Sequence, residues 1–459
     1  MEAYRTEQDS IGARLIPTGA YFGVQSLRAL ENFNITGRRL NQEFVFAIVE
    51  IKKAAAITNK KAGVLDGRIA DAIITACDEI LAGKLLDHFI TDAVQGGAGT
   101  SANMNANEVI ANRAIELLGG NKGDYRIVHP NDHVNCGQST NDVIPSAGRI
   151  ATVRLLYAAI KSLNELKSSF ENKAEEYKSI IKMGRTEMQD AVPVSFGQVF
   201  GAFASAIGRD IKRFSLAVEE MSVLNMGGTA IGTSINAHPD YVKNVTENIN
   251  AVTGLSFLQA ADLVDATQNL DSFVFVSGII KSSAVTLSKI SNDIRLMSSG
   301  PRTGFGEITI PAKQNGSSIM PGKVNPVMPE VMSQIAYNII GNDTTITHAA
   351  EAGQLELNAF EPVMFYRLFE SLDTIKKGID VFKSECVDGI IVNATKCRND
   401  VENSIGIITA LCPHIGYTEA ARIAKRALKE GRSLRYVLLE EKIMSANRLD
   451  EILDPFTMI

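Results

Sequence analysis

Gly316-Ser317-Ser318-Ile319-Met320-Pro321-Gly322-Lys323-Val324-Asn325-Pro326 places two adjacent hydroxyls, a lysine and an amide within nine residues. Glycine and proline flank them, and further glycines stand upstream at 300, 304 and 306. Such punctuation keeps a segment out of a packed helix. A loop this long in a helical protein is usually a lid or a binding loop. Its residue types suit a small carboxylate: Lys323 supplies a cation, Asn325 a neutral donor, and the serines donors or, once deprotonated, a base. On composition alone, a flexible linker with incidental polar residues fits equally well.

The 459 residues exceed what one core serves, so two or three domains are expected. Hydrophobic residues at 45% and charged residues at 21% describe an ordinary globular chain. A net charge of −6 argues against nucleic-acid binding, which would want a basic patch. The polar, acidic start Met1-Glu2-Ala3-Tyr4-Arg5-Thr6-Glu7 does not read as a secretory signal. No apolar run is expected to reach membrane-spanning length; even Phe273 to Ile280 is broken by Ser277 and Gly278. The five cysteines (77, 136, 386, 397 and 412) form no Cys-x-x-Cys pair, so reduced thiols and a cytoplasmic setting are expected.

Residues 1 to about 40 read as a mostly irregular arm, and residues 42 to 86 as two helices. Gln95-Gly96-Gly97-Ala98-Gly99-Thr100-Ser101 follows, with hydroxyls where a helix begins. Exposed N–H groups at a helix start favour anions, although a plain glycine turn with an N-cap explains the same text. His129 and His133 are four apart, but Pro130 argues against a helix there and no third ligand is evident, so no metal site is expected. Ser139-Thr140-Asn141 again clusters donors before a long helical pattern.

From Ile150 the apolar residues recur every three or four positions to Phe170. Gly184-Arg185-Thr186-Glu187-Met188-Gln189-Asp190-Ala191-Val192-Pro193 interrupts, and a second stripe runs from Phe196 to Met221, whose aromatics read as core. A third long helix is expected from about Asp265 to Met297, a fourth from Pro326 to Pro329 onward, and a fifth through Val363 to Phe382. Stripes on more than one face suggest that helices of other subunits pack against them. In the last 70 residues shorter helices are expected: Thr418 starts one, Gly431 ends it and Ser433 caps the next. The fold class is therefore all-α, with three unequal domains.

The loop at 316–326, together with the Gly96, Ser139 and Gly184 segments, resembles the aspartase/fumarase superfamily, lyases that release fumarate by breaking a C–N or C–O bond. The resemblance runs from about residue 4 to the C-terminus, with four motifs in the family's order. It implies an N-terminal domain over 1–138, an elongated central five-helix bundle over 139–388 and a small helical C-terminal domain over 389–459. It also implies a homotetramer with a joint multi-helix core, each active site being shared between three subunits. Ser317 is implied as the base, with Ser318, Thr100, Ser101, Ser139 and Thr140 around the β-carboxylate. Lys323, Asn325 and Thr186 match positions that hold the α-carboxylate, and Asn141 one that faces the amino group. No cofactor is implied, and any Mg²⁺ activation is not readable from the sequence.

Arg126, His129, Asn131 and Asp132 resemble a secondary dicarboxylate site described for fumarases. Glu187 departs from the family pattern, in which histidine or glutamine is frequent. Its carboxylate either pairs with a substrate ammonium or bonds Arg185 or another cation away from the ligand. Gly96-Gly97-Ala98-Gly99-Thr100-Ser101, Ala230-Ile231-Gly232-Thr233 and Glu351-Ala352-Gly353-Gln354 look more like the aspartase branch than the fumarase branch. The expected substrate is a small amino-dicarboxylate, with malate hydration and a non-catalytic helical scaffold as the alternatives.

Overall fold

Five long helices, Thr140–Glu176, Phe196–Met221, Asp271–Met297, Val327–Glu351 and Glu361–Glu385, carry the apolar stripes. The computed structural model describes residues 3–458, apart from the Pro455 side chain. The chain divides into two compact units, and each long helix contributes one part to each. The first unit comprises residues 1–160, 212–282 and 337–375; the second comprises 161–211, 283–336 and 376–459.

In the first unit, Asn41 and Asp66 cap helices Gln42–Lys61 and Gly67–Leu81 by accepting from backbone N–H groups of their first turns. Gln42–Lys61 packs against Gly67–Leu81 and against Pro239–Thr253. Ile48, Ile51, Ile73, Ile80, Tyr241 and Val245 are fully buried there. An aromatic cluster lies deeper, with Phe365 set 5.4 Å from Phe44, 5.2 Å from Phe273 and 5.6 Å from Phe369, centroid to centroid. Gly148 makes room for it: a Cβ there would stand 2.4 Å from the Phe365 ring.

In the second unit, the hairpin Ile181–Thr186 and Gln189–Ser195 pairs antiparallel, with a register shift between Met183 and Arg185. Ile181 and Met183 join a core with Val401, Leu411, Ile423, Val437 and Leu449 of the C-terminal helices. Phe170, Phe200 and Phe203 pack face and edge at 5.5 to 6.3 Å, so the aromatic stripe is core as expected.

Four expectations need correction. Residues 4–32 are ordered as a hairpin, Tyr4–Asp9 with Gly12–Pro17, and a helix, Val24–Asn32. The polar strands hid it; Asp9 closes the turn by accepting from Ile11 N and Gly12 N. The third long helix breaks at Asn269-Leu270 into Leu263–Gln268 and Asp271–Met297. Pro130 opens a five-residue helical turn, Pro130–Val134, where a missing N–H costs nothing. Thr140–Glu176 and Asp271–Met297 are long and apolar enough to cross a membrane by length and composition, and 78% and 50% of their most apolar stretches are buried within the protein. Bundle helices buried on several faces produce that signature.

Gly148→Ala is expected to lower stability by about 1–3 kcal/mol by overpacking the Phe365 cluster. Urea unfolding midpoints at one protein concentration would check it.

Candidate active site

Three consecutive left-handed residues, Gly97 (φ +83°), Ala98 (φ +54°) and Gly99 (φ +84°), turn the chain into helix Thr100–Leu117. Gly99 is doubly constrained, because a Cβ there would also meet Ile144 at 2.9 Å. Gln95 accepts from Ala102 N at 2.9 Å and so serves the first turn from outside it. Thr100 is exposed and Ser101 half-buried; the Thr100 hydroxyl donates to Gly97 O at 2.7 Å.

Ser139 caps helix Thr140–Glu176: its Oγ accepts from Asn141 N at 3.2 Å, while its own N–H donates to Asp142 Oδ1 at 2.9 Å. The Ser139 hydroxyl proton therefore remains available to a ligand. Asn141 Nδ2 donates to Ala230 O at 2.7 Å, leaving its Oδ1, an acceptor, as the group without a partner among the described residues. A lone acceptor suits an ammonium better than a carboxylate. Thr140 Oγ1 accepts from Asn103 Nδ2 at 3.1 Å, which joins the two helix starts directly.

Behind these starts lie two buried ionisable groups. Asp142 accepts from Gly227 N (3.2 Å) and Thr229 N (3.1 Å) besides Ser139 N. Burial pushes its carboxyl up to about 6, against the pull of those N–H groups and of Lys52. Lys52 is fully buried and donates to Asn135 Oδ1 (2.7 Å) and Gln138 Oε1 (2.9 Å). Burial pushes its ammonium down to about 7, against Asp142 and Cys77. Lys52, Asn103, Asn135 and Gln138 are not among the site residues expected from the sequence. The signal was present as Lys52 beside Lys53 in the otherwise largely apolar stretch 44–56, which also holds Glu50, and as asparagines at 103, 105 and 107 on a buried helix.

In the second unit, Thr186 and Glu187 lie at the exposed tip of the 181–195 hairpin. Glu187 (φ +52°) and Met188 (φ +67°) form the two-residue turn, both left-handed without being glycine. Arg185 does not pair with Glu187. Its Nη1 meets Glu307 Oε1 at 2.5 Å, and Lys182 Nζ meets Glu307 Oε2 at 3.0 Å, with Glu307 fully buried. Glu187 makes no hydrogen bond or ion pair among the described residues, and Arg185 is engaged by Glu307 instead.

Residues 310–326 contain neither helix nor strand. Ser317 Oγ accepts from Ile319 N (3.2 Å) and Met320 N (3.0 Å). Two N–H dipoles aimed at one hydroxyl oxygen favour its anion. Asn325 Nδ2 donates to Gly316 O at 2.6 Å, tying the loop's ends together. Ser318 and Lys323 are exposed, and Lys323 has no ion pair among the described residues. No hydrogen bond joins Thr186 or Glu187 to Ser317, Ser318, Lys323 or Asn325.

At the other histidine pair, His133 Nδ1 accepts from His129 N, and His129 Nδ1 from Asn131 N and Asp132 N. Both Nδ1 atoms thus serve the Pro130–Val134 turn. Arg126 pairs with Asp124 at 2.8 Å. All five cysteines are free.

The family model described as Lyase matches residues 12–341, and that described as Fumarase C C-terminus matches residues 407–459. The chain belongs to the aspartase/fumarase superfamily of lyases. Among its relatives, the aspartate ammonia-lyase of Bacillus subtilis (strain 168) is 49% identical over 455 residues, 99% of this chain and 96% of that one. A solved fumarate lyase:delta crystallin from Brucella melitensis superposes with a TM-score of 0.97 at 48% identity, covering 99% of each chain. A class II fumarase from Schistosoma mansoni gives 0.96 at 34% identity, again over 99% of each. The multi-helix bundle of the superfamily is therefore the fold of this chain.

Two expectations follow from the superfamily site. A Cβ on Gly316 would stand 2.1 Å from Lys323 O, so Gly316→Ala forces the 316–325 loop apart. Lyase turnover should fall about a hundredfold, as a displacement near 1 Å can cause, with an almost unchanged melting temperature. Lys52 governs the second. From about pH 7 up to the ordinary lysine range the unfolded chain holds a proton that the native protein releases, so this group makes stability rise with pH. Urea midpoints between about pH 6 and 9 should rise less for Lys52→Met than for the native sequence.

Proposed function

We propose that this chain is an aspartate ammonia-lyase, converting L-aspartate reversibly to fumarate and ammonia. The observation that carries the reading is the near full-length likeness to an aspartate ammonia-lyase, 49% identical, against 34% for the class II fumarase. The site chemistry agrees with it. The β-proton of aspartate is poorly acidic, and its removal is tolerable only when the charge passes to the β-carboxylate as an enolate-like dianion. Donors must therefore crowd that carboxylate, and a base must stand at the β-carbon.

In this proposal Ser317 is the base, its alkoxide favoured by Ile319 N and Met320 N. It takes the β-proton while the electron pair moves into the carboxylate. Collapse of the dianion then forms the C=C bond and expels the amine. Ser318, Ser101, Ser139 and Thr140 bind the β-carboxylate, joined by Thr100 when its hydroxyl exchanges Gly97 O for the ligand. Lys323, Asn325 and Thr186 hold the α-carboxylate, and Asn141 Oδ1 with Glu187 receives the ammonium. No cofactor enters these steps.

The proposal includes a homotetramer whose sites draw on three subunits, a three-domain chain divided at 138/139 and 388/389, and a cytoplasmic setting. Association of the long helices is supported by large apolar residues exposed on them: Leu216 (51%), Phe275 (49%), Val285 (52%) and Tyr337 (60%).

The purified protein, offered L-aspartate and L-malate separately, should form fumarate from aspartate alone, with one ammonia per fumarate. Its ultraviolet absorbance follows the reaction. Fumarate from malate alone would reassign the chain as a hydratase, and silence with both would favour a non-catalytic scaffold. Ser317→Ala should keep the fold and a ligand-induced rise in melting temperature while losing about a thousandfold or more in kcat. Near-native turnover in that variant removes Ser317 as the base.

A further inference from the structure

A hydroxyl bound to a carboxylate must offer its proton, so something has to occupy its lone pair and turn the O–H outward. At Thr140 that something is Asn103 Nδ2, which donates to Oγ1 at 3.1 Å. Asn103 is buried, and its Oδ1 has no partner among the described residues, so its orientation is not chosen to satisfy its own carbonyl. The same Nδ2 also donates to Asn135 Oδ1 at 3.2 Å.

Asn135 Oδ1 is the hub of the network. It receives Asn103, Asn107 Nδ2 at 3.2 Å and Lys52 Nζ at 2.7 Å, while Asn135 Nδ2 donates to Gln138 O at 3.1 Å. Lys52 also donates to Gln138 Oε1, and Gln138 Nε2 donates to Val134 O and Cys136 O. An amide can be turned over at little steric cost, but a lysine nitrogen brings two N–H donors even when neutral and three when charged, and here it donates to both amides. With Lys52 fully buried between two amides, both must face it with oxygen. The direction of every later bond follows: lysine to Asn135, Asn103 to Asn135, Asn103 to Thr140, and the Thr140 proton outward.

We propose that Lys52, acting through Asn135 and Asn103, is a positioning residue that sets the Thr140 hydroxyl as a hydrogen-bond donor toward a substrate carboxylate. The proposal rests on the reading above in which Thr140 binds the β-carboxylate. Neither Lys52 nor Asn103 touches substrate in it. Because charge grows on that carboxylate as the proton leaves, a misdirected Thr140 costs turnover more than ground-state binding.

A double-mutant cycle on the full-length enzyme tests this with L-aspartate as substrate. Thr140→Val removes the hydroxyl, and Asn103→Leu removes the donor behind it at similar volume. Each single variant should lower kcat about tenfold to a hundredfold with KM changed much less. The double variant should be no slower than Thr140→Val alone. Lys52→Met should slow the native enzyme and leave the Thr140→Val enzyme unaffected. Losses that multiply in the double variant, or an Asn103→Leu enzyme with kcat within about twofold of native, overturn the proposal. A fully active Thr140→Val enzyme instead overturns the substrate-binding role on which it rests. Should Asn103→Leu fail to fold, Asn103→Asp serves: it offers Thr140 an acceptor, draws the hydroxyl proton inward and should give the same loss of kcat. Native kcat in that variant counts against the proposal.

Discussion

A buried ionisable group has to be hydrogen-bonded by something, and here the groups that satisfy Lys52 and Asp142 are the ones that shape the candidate site. Asp142 gathers N–H groups from Ser139, Gly227 and Thr229, fixing the start of helix Thr140–Glu176 against the 227–229 segment. Lys52 gathers two amide oxygens from the 135–138 turn. Removing either side chain alone would leave its hydrogen-bond partners buried and unmatched, which costs more than the bonds themselves contribute. Stability and ligand geometry are thus held by the same few bonds in the first unit.

The second unit follows a different logic. Its ion cluster, Lys182–Glu307–Arg185, pins the residues before the 310–326 loop to the hairpin, while the loop itself is held at its start by the Lys313–Glu385 ion pair and across its later part by Asn325 to Gly316. Ser317 sits within that loosely held stretch, yet its oxygen is held by two N–H groups three residues away at most. The local environment of the oxygen is therefore preserved when the loop moves as a whole, which suits a segment that closes over a substrate.

The long helices were legible because each repeats an apolar residue every three or four positions, and Gly431 and Ser433 ended and began helices as their backbone chemistry dictates. The break at Asn269-Leu270 was not, because the apolar pattern runs through it unchanged. Nor was the first hairpin: Tyr4–Asp9 is polar, and its Glu7 is buried by bonds to Arg5, Val24 and Tyr125 rather than by apolar packing. The site's hydroxyls and amides were visible as clusters behind glycines. The network behind Thr140 was invisible, since Lys52 meets partners 83 and 86 residues away and no spacing rule links them.

The turn at Glu187-Met188 carries a consequence for engineering. Both residues hold a left-handed backbone that asparagine and glycine adopt more easily, at roughly 1–2 kcal/mol less per residue. A redesign guided by thermal stability alone would rewrite this turn as Asn-Gly, the pair that two-residue hairpins favour. It would gain a firmer hairpin and delete an unpaired carboxylate aimed at solvent. Under the proposed role of Glu187 as a receiver of the ammonium, substrate selectivity and heat resistance would then be exchanged at two adjacent codons, without any change in the hydrophobic core.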